Sequence, residues 1–452
     1  KARRLVVGKV LSVADKRRST RFFYPSNCDF RGRVYNIPSF LGIQGPDMCR
    51  GLLRFSRGEK VKTNEAYRWL AIHGANTWGN DKVTLDKRVE WANDFAKDAQ
   101  KIAANPKREL LWIEADKPFQ FLGWCIDFAG LVRQGWGYMS NLPVSADGSC
   151  NGLQHLSAIL RDERGGRATN LLASDVPQDI YTEVADEAMR NITKDADQGE
   201  ILAKKFIEFG IDRSLTKRSV MIVPYSGTMH SCRTYIEEAM RDKIEKGTPD
   251  IFGDDLFDAT LYLARHVWDA INGVITAARQ VMDYIKDVGA VYAEHNRHME
   301  WVTPTNWLVM QNYNEVQKRR ITSLINGNTI QLVLNRDIPN QVSKRRTGSG
   351  ASPNFIHSMD AAAMTKTINT CKQQGIRHFA MVHDSYGTHS SEMPRLSDVL
   401  RQEFVQMYTE HNVLTMLRQH AIVTLGTEDV PTPPSQGSLD INNVLKSQYF
   451  FA

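Results

Sequence analysis

VHDSYG, residues 382–387, follows the apolar run HFAM (378–381) and sets a carboxylate where a buried strand would end. A charge held near a core must be paired or must bind something. An acid followed by Ser385 is also what an ordinary turn uses, so the partner of Asp384 has to be found before the stretch can be interpreted. LPVSADGSC (142–150) has the same form: a short apolar strand, then Asp147, then Gly148. Two acids at strand ends can converge on one divalent ion or on a pair. Mg²⁺ takes hard oxygen ligands, usually one or two carboxylates plus substrate phosphates. Two such ions about 4 Å apart stabilise both the attacking and the leaving oxygen of a phosphoryl transfer.

A third stretch lies between them. DRSLTKRSVMIVPYSG (212–227) carries Arg213 and Lys217 four residues apart. On a helix these two share a face, about 40° apart. They could grip one polyphosphate, Arg213 as a fork and Lys217 as a point charge. Met221 continues that face, and Pro224 should end the helix. Tyr225 then stands at the exit, where it can offer a ring and a hydroxyl to a base or sugar. Taken alone, the segment is equally an ordinary basic surface helix.

The bulk composition suits such a reading. The chain has 452 residues, 42% hydrophobic and 24% charged, enough for two or three packed lobes. Net charge is only +6, but the basic residues cluster in 1–21, 318–320 and 344–346, as suits a polyanion. The six cysteines show neither CxxC nor zinc spacing, which predicts a reducing compartment and no structural metal cluster. The longest apolar stretch, FQFLGWCIDFAGLV (119–132), holds Asp127 and is too short to span a bilayer. No membrane partner is expected, and a cytoplasmic location is.

Periodicity predicts helices at about 63–73 (closed by Gly74), 84–104, 117–133, 174–191 (capped by Ser174 or Asp175), 200–209, 212–223, 231–247, 255–286, 354–373, 395–411 and 413–421. RRITSLINGNTIQLVLNR (319–336) places two β-branched runs around Asn326-Gly327, which predicts a hairpin. FAMVHDSYGTH (379–389) reads as strand, turn and strand. This mixture of helices with short acid-bearing strands predicts an α+β fold rather than a doubly wound sheet.

In this order the pieces resemble the signature of single-subunit, phage-type DNA-dependent RNA polymerases, the family of the T-odd phages and of mitochondria. DFRGRVY (29–35), DGSCNGLQH (147–155), RDERGGRATNLL (161–172), TKRSVM (216–221), PNFIHSMDAA (353–362) and VHDSYGT (382–388) are all similar to its pattern, as is the closing YFFA. The resemblance runs from about residue 21 to the C-terminus. It implies a right-hand polymerase fold: palm from 21–164 and 357–452, built on an antiparallel sheet, and largely helical fingers at 165–356. Residues 1–20 would be the end of a thumb helix.

The resemblance further implies two Mg²⁺ ions held by Asp147 and Asp384, with the Gly148 carbonyl as an extra ligand. Arg213 and Lys217 would bind the triphosphate of the incoming NTP, and Arg33 and Lys82 would also contact the nucleotide. Tyr225 and His357 would sense the ribose 2′-hydroxyl; without the motif, His357 reads as a satisfied core histidine. Catalytic roles fall to Asp147, Asp384, Lys217, Tyr225 and His357. The hairpin, at 317–346, would be a promoter specificity loop, with Arg320 and Thr322 on one strand and Thr329 and Gln331 on the other facing DNA. The implied partners are a DNA template and promoter, nascent RNA and NTPs, in a host bacterial cytoplasm if the source is a phage.

Two departures stand out. The family usually follows the tyrosine directly with glycine, whereas here Ser226 precedes Gly227. Family members are also roughly twice as long, so an N-terminal domain and most of the thumb are expected in a missing segment or a second chain. Alone, the chain is expected to bind primed template weakly and not to initiate at a promoter. Two rival readings remain. A family A DNA polymerase shares the three-part logic but usually carries a Glu soon after the first acid and an Asp-Glu pair in the second motif. A catalytically incomplete remnant that only binds nucleic acid is the other. No YxDD stretch suggests a reverse transcriptase.

Overall fold

The computed structural model describes residues 2–452. It is α+β, predominantly helical, with strands only in antiparallel two-stranded pairs among the described residues. The antiparallel sheet expected of a palm is thus present only as separate two-stranded pairs, among them Val144–Asp147 with Ser385–Thr388. One continuous core runs through most of the chain, from Val61 to Phe451. Among the described residues no helix is long and apolar enough to cross a membrane.

The apolar stretch 119–132 lies in the helix Pro118–Gln134. Its Trp124 is fully buried, stacked on Phe121 and Phe128 with centroids 5.3 and 4.7 Å away. Asp127, the acid in that stretch, accepts from Ser140 Oγ at 2.6 Å and from the Tyr138 hydroxyl at 3.2 Å, which satisfies it inside the protein. Against this helix lies Asn64–Trp78, which does not stop at Gly74 but ends on Gly79 in the left-handed conformation. Gly74 serves packing instead: a Cβ there would lie 2.2 Å from the Trp124 ring.

Other boundaries move for identifiable reasons. The 84–104 segment is two helices, Leu85–Asp94 and Ala96–Ala104, parted at Phe95. The 255–286 segment likewise divides into Leu256–Val274 and Thr276–Glu294. The segment expected to begin at Ser174 or Asp175 starts later, as Ile180–Asp197, because Asp179 is the residue whose carboxylate accepts the Tyr181 N–H. Pro353 is enclosed within a long helix, Lys344–Gln373, so the basic triplet 344–346 opens that helix rather than closing the hairpin.

The hairpin itself comprises Asn314–Ile325 and Asn328–Val342, turning at Asn326 and Gly327, both with positive φ, as a type I′ turn requires. Thr322 faces Gln331 across the ladder. Arg320, Thr322, Thr329 and Gln331 therefore share one side of the ribbon.

Candidate active site

The two acids meet on the smallest possible sheet. Val144–Asp147 and Ser385–Thr388 run antiparallel with Asp147 opposite Ser385, and the Gly148 N–H donates to the Asp384 carbonyl at 3.1 Å. The strand expected before Asp384 is only a bridge: Val382 and Ser385 exchange backbone bonds at 2.8 and 2.9 Å around a two-residue turn, His383-Asp384. His383 has φ of +49°, a conformation that costs a non-glycine residue about 1 kcal/mol. Its ring packs 4.9 Å from that of Tyr35, which helps hold the turn. Gly387 has a clear steric reason, since a Cβ would come within 2.7 Å of the Ala380 carbonyl oxygen.

Both acids open into a cavity of about 1100 Å³. Lys82, Asp147, Gly148, Arg213, Lys217, Tyr225 and Asp384, all singled out from the sequence, line it together. Arg213 opens the helix Arg213–Met221, capped by Asp212, and Lys217 lies one turn on. Arg213 Nε donates to Asp179 Oδ2 at 2.5 Å and its guanidinium lies over the Tyr181 ring, which fixes the plane of the fork. Burial, then Arg213 and Lys82, push the Lys217 ammonium below its ordinary pKa. Pro224 and Tyr225 follow in a short 3₁₀ turn, Val223–Tyr225. Ser226 has φ of +61°, so serine occupies the left-handed position that glycine would fill without strain.

The acids differ in their surroundings. The Asp147 side chain keeps half its surface open to the cavity. The walls still withdraw water and raise its pKa more than any one neighbour lowers it, but Lys117, with Nζ 3.4 Å from Oδ2, together with Ser385 and Arg50 outweighs them and the carboxyl lies below the ordinary range. Asp384 is pushed up, first by burial and then by the Asp147 charge. A divalent cation between them would relieve that repulsion. Among the described residues no group of three or more His, Cys, Asp or Glu side chains is placed to hold a metal. Two carboxylates and a backbone carbonyl nevertheless fit Mg²⁺, which fills its remaining positions with water and phosphate oxygens.

His357 and Arg33 lie outside the residues lining the cavity. The His357 ring packs 4.8 Å from the Tyr225 ring, so the expected pair is formed at the cavity's edge. Arg33 turns inward and pairs with Asp360, its Nε donating to Oδ1 at 3.0 Å, with both side chains largely buried. The geometry therefore gives Arg33 a buried partner rather than an open face toward a ligand. The four hairpin residues are not part of the cavity lining.

Sequence reasoning missed Arg50, Lys117 and Asp179, all on the cavity wall. Lys117 is set there by Pro118, which starts a helix, and by Asp47, whose carboxylate accepts the Phe119 and Gln120 N–H groups at 2.7 and 3.2 Å. A cap supplied from seventy residues away leaves no local signal.

Comparison with known proteins adds to this geometry. A family model described as DNA-dependent RNA polymerase matches residues 60–428. The chain is 33% identical to a DNA-directed RNA polymerase of Enterobacteria phage T3 and 32% identical to the T7 RNA polymerase of Escherichia phage T7. In both cases all of this chain and 56% of the relative are covered. It is 35% identical to DNA-directed RNA polymerase 2, chloroplastic/mitochondrial, of Arabidopsis thaliana, over 98% of this chain and 44% of the relative. The chain spans about half the length of the curated relatives it matches.

Proposed function

Because the chain belongs to the phage-type DNA-dependent RNA polymerase family, we propose that it carries the nucleotidyl-transfer centre of a template-directed RNA polymerase. The observation that supports this most is the convergence of Asp147 and Asp384 on one cavity whose wall carries Arg213, Lys217 and Lys82. In this reading 21–164 and 357–452 form the palm, 165–356 the fingers with the hairpin as specificity loop, and 1–20 the end of a thumb helix. A phage source, and so a bacterial cytoplasm, is part of the same proposal, as are a DNA template and promoter, nascent RNA and NTPs as partners.

The 3′-hydroxyl of the growing RNA attacks the α-phosphate, the new P–O bond forms, and pyrophosphate leaves. Two Mg²⁺ ions, held by Asp147, Asp384 and the Gly148 carbonyl, would supply charge stabilisation at both oxygens. The chain's own groups do the rest. Arg213 and Lys217 bind the triphosphate and neutralise the charge that grows on the departing pyrophosphate. Lys217 holds its proton less tightly than a lysine in water and is suited to pass it to a pyrophosphate oxygen. Lys82 adds positive charge at the rim. Tyr225 and His357 form the edge that the sugar meets, where a ribose hydroxyl offers a polar group that a deoxy sugar lacks. Arg33 acts from behind that edge, through Asp360.

Extension of an RNA primer on a DNA template, with NTPs and Mg²⁺, tests the proposal. Extension by the chain that disappears in Asp384→Asn is expected. Equal extension by wild type and variant would overturn the assignment of the acids, and a preference for dNTPs would favour the DNA polymerase reading.

A further inference from the structure

Asp29 and Arg31 lie in the turn between the strands Ser26–Cys28 and Val34–Asn36, distant in sequence from the helix that carries His357. The Asp29 carboxylate organises this turn. Its Oδ1 accepts the backbone N–H of Arg31 and of Arg33 at 2.9 and 3.0 Å. Its Oδ2 accepts both Nε and NH2 of the Arg31 guanidinium, at 2.9 and 2.6 Å. With the fork clamped in this way, one nitrogen is left to reach out: Arg31 NH1 donates to His357 Nδ1 at 2.7 Å.

That last contact carries chemical information. A guanidinium only donates and does not lose its proton in proteins. The ring nitrogen facing it must therefore be the acceptor, without a hydrogen. A neutral histidine then carries its proton on Nε2, because the hydrogen bond at one nitrogen sets the tautomer at the other. We infer that Arg31, anchored by Asp29, is a positioning residue that fixes His357 as the neutral Nε2–H tautomer, so that it offers a single donor to a ribose hydroxyl oxygen. This deepens the reading of the Tyr225–His357 edge as the sugar-sensing part of the site and rests on it for the identity of the ligand.

The groups around the ring agree with a neutral state. Arg31 and Arg33 face it from the turn, His383 from the acid-bearing turn, and the Tyr225 ring from the end of the basic helix. Asp360, one turn along His357's own helix, is already paired with Arg33. Burial and these cations lower the imidazole to a pKa of about 3. Protonation would put a second hydrogen at Nδ1, donor against donor. Without Arg31 the ring would be free to turn over or change tautomer, and its donor would no longer have a fixed direction.

The test uses the full chain and two independent readouts. Nitrogen-15 NMR of the histidine rings, with His357→Gln to assign the signal, should show His357 as Nε2–H with no titration between about pH 5 and 8. In Arg31→Met the ring should become a mixture of tautomers and begin to titrate. Asp29→Asn, which keeps Arg31 but removes the charge that clamps it, should shift the ring the same way and covers the case in which Arg31→Met does not fold. In primer extension, the ratio of ribo- to deoxynucleotide incorporation should fall on the order of tenfold in either variant. A wild-type ring protonated on Nδ1, or one whose tautomer ignores both substitutions, would overturn the inference. A tautomer that shifts while the sugar ratio stays put would overturn its link to sugar choice. If no protein extends a primer, the polymerase reading fails separately, and the NMR result still decides what Arg31 does.

Discussion

Gly74→Ala is a substitution for which two elementary rules give opposite signs. In a helix interior alanine is favoured over glycine by about 1 kcal/mol. At this position, though, the new Cβ would stand 2.2 Å from Cε2 and 2.6 Å from Nε1 of Trp124. The indole cannot swing aside. It is fully buried, stacked between Phe121 and Phe128, and its Nε1 donates to the Leu70 carbonyl at 2.9 Å. Overpacking of this kind costs about 1–3 kcal/mol, and breaking a buried hydrogen bond about 1–3 more. Set against the helix gain, the net is a loss of about 3 kcal/mol. Urea unfolding followed by tryptophan fluorescence should show a lower midpoint with an unchanged slope. The effect should reach the site, because His73, the preceding residue, lies with Nδ1 3.4 Å from the Ser145 N–H on the strand of Asp147. A midpoint equal to or above wild type would refute the reasoning: the two helices would then part easily, and propensity alone would set the outcome.

Three further outcomes are expected. Asp360→Asn strips the buried Arg33 of its counter-charge and should lower stability by about 3 kcal/mol, measured by the same urea assay. His155 is buried with Nδ1 2.6 Å from the Tyr408 hydroxyl, and burial lowers it to about 3. Below about pH 6.5 the unfolded chain binds a proton that the native ring refuses, so stability falls as pH drops toward 3. At pH 5 this amounts to about 2 kcal/mol, and His155→Asn should remove about that much of the stability lost between pH 7 and pH 5. Replacing Thr322 and Gln331 together by alanine should weaken discrimination between duplex DNA sequences in a binding assay and leave primer extension intact; lost extension would mean that the hairpin serves the cavity instead.

The elements that sequence made legible are those encoded locally. The helix Arg213–Met221 has its cap, its spacing and its closing proline within one stretch, and Asn326-Gly327 dictates its own turn. Asp147 and Asp384 stand out in the sequence because each ends an apolar run before a turn. What escaped depends on distant partners. Gly74 looks like a helix stop until Trp124 is placed against it, and Asp179, the residue that caps its helix in place of Ser174, is also bound by Arg213 from a later helix. Lys117 gains its place through Asp47. Arg33 and Arg31 share one motif, but one turns to Asp360 and the other to His357, more than three hundred residues on, which no local pattern distinguishes.

The pairing of Asp147 with Ser385 also has a consequence in time. More than two hundred residues lie between these two strands, and contacts of such long range form late and slowly. During synthesis the N-terminal parts fold first, so the strand of Asp147 waits unpaired until the helices that follow it have been made. Two mutually repelling carboxylates then come together only when the rest of the framework can hold them. A half-made chain cannot present both acids at once, and the appearance of that small ladder would serve as a clock for the end of folding.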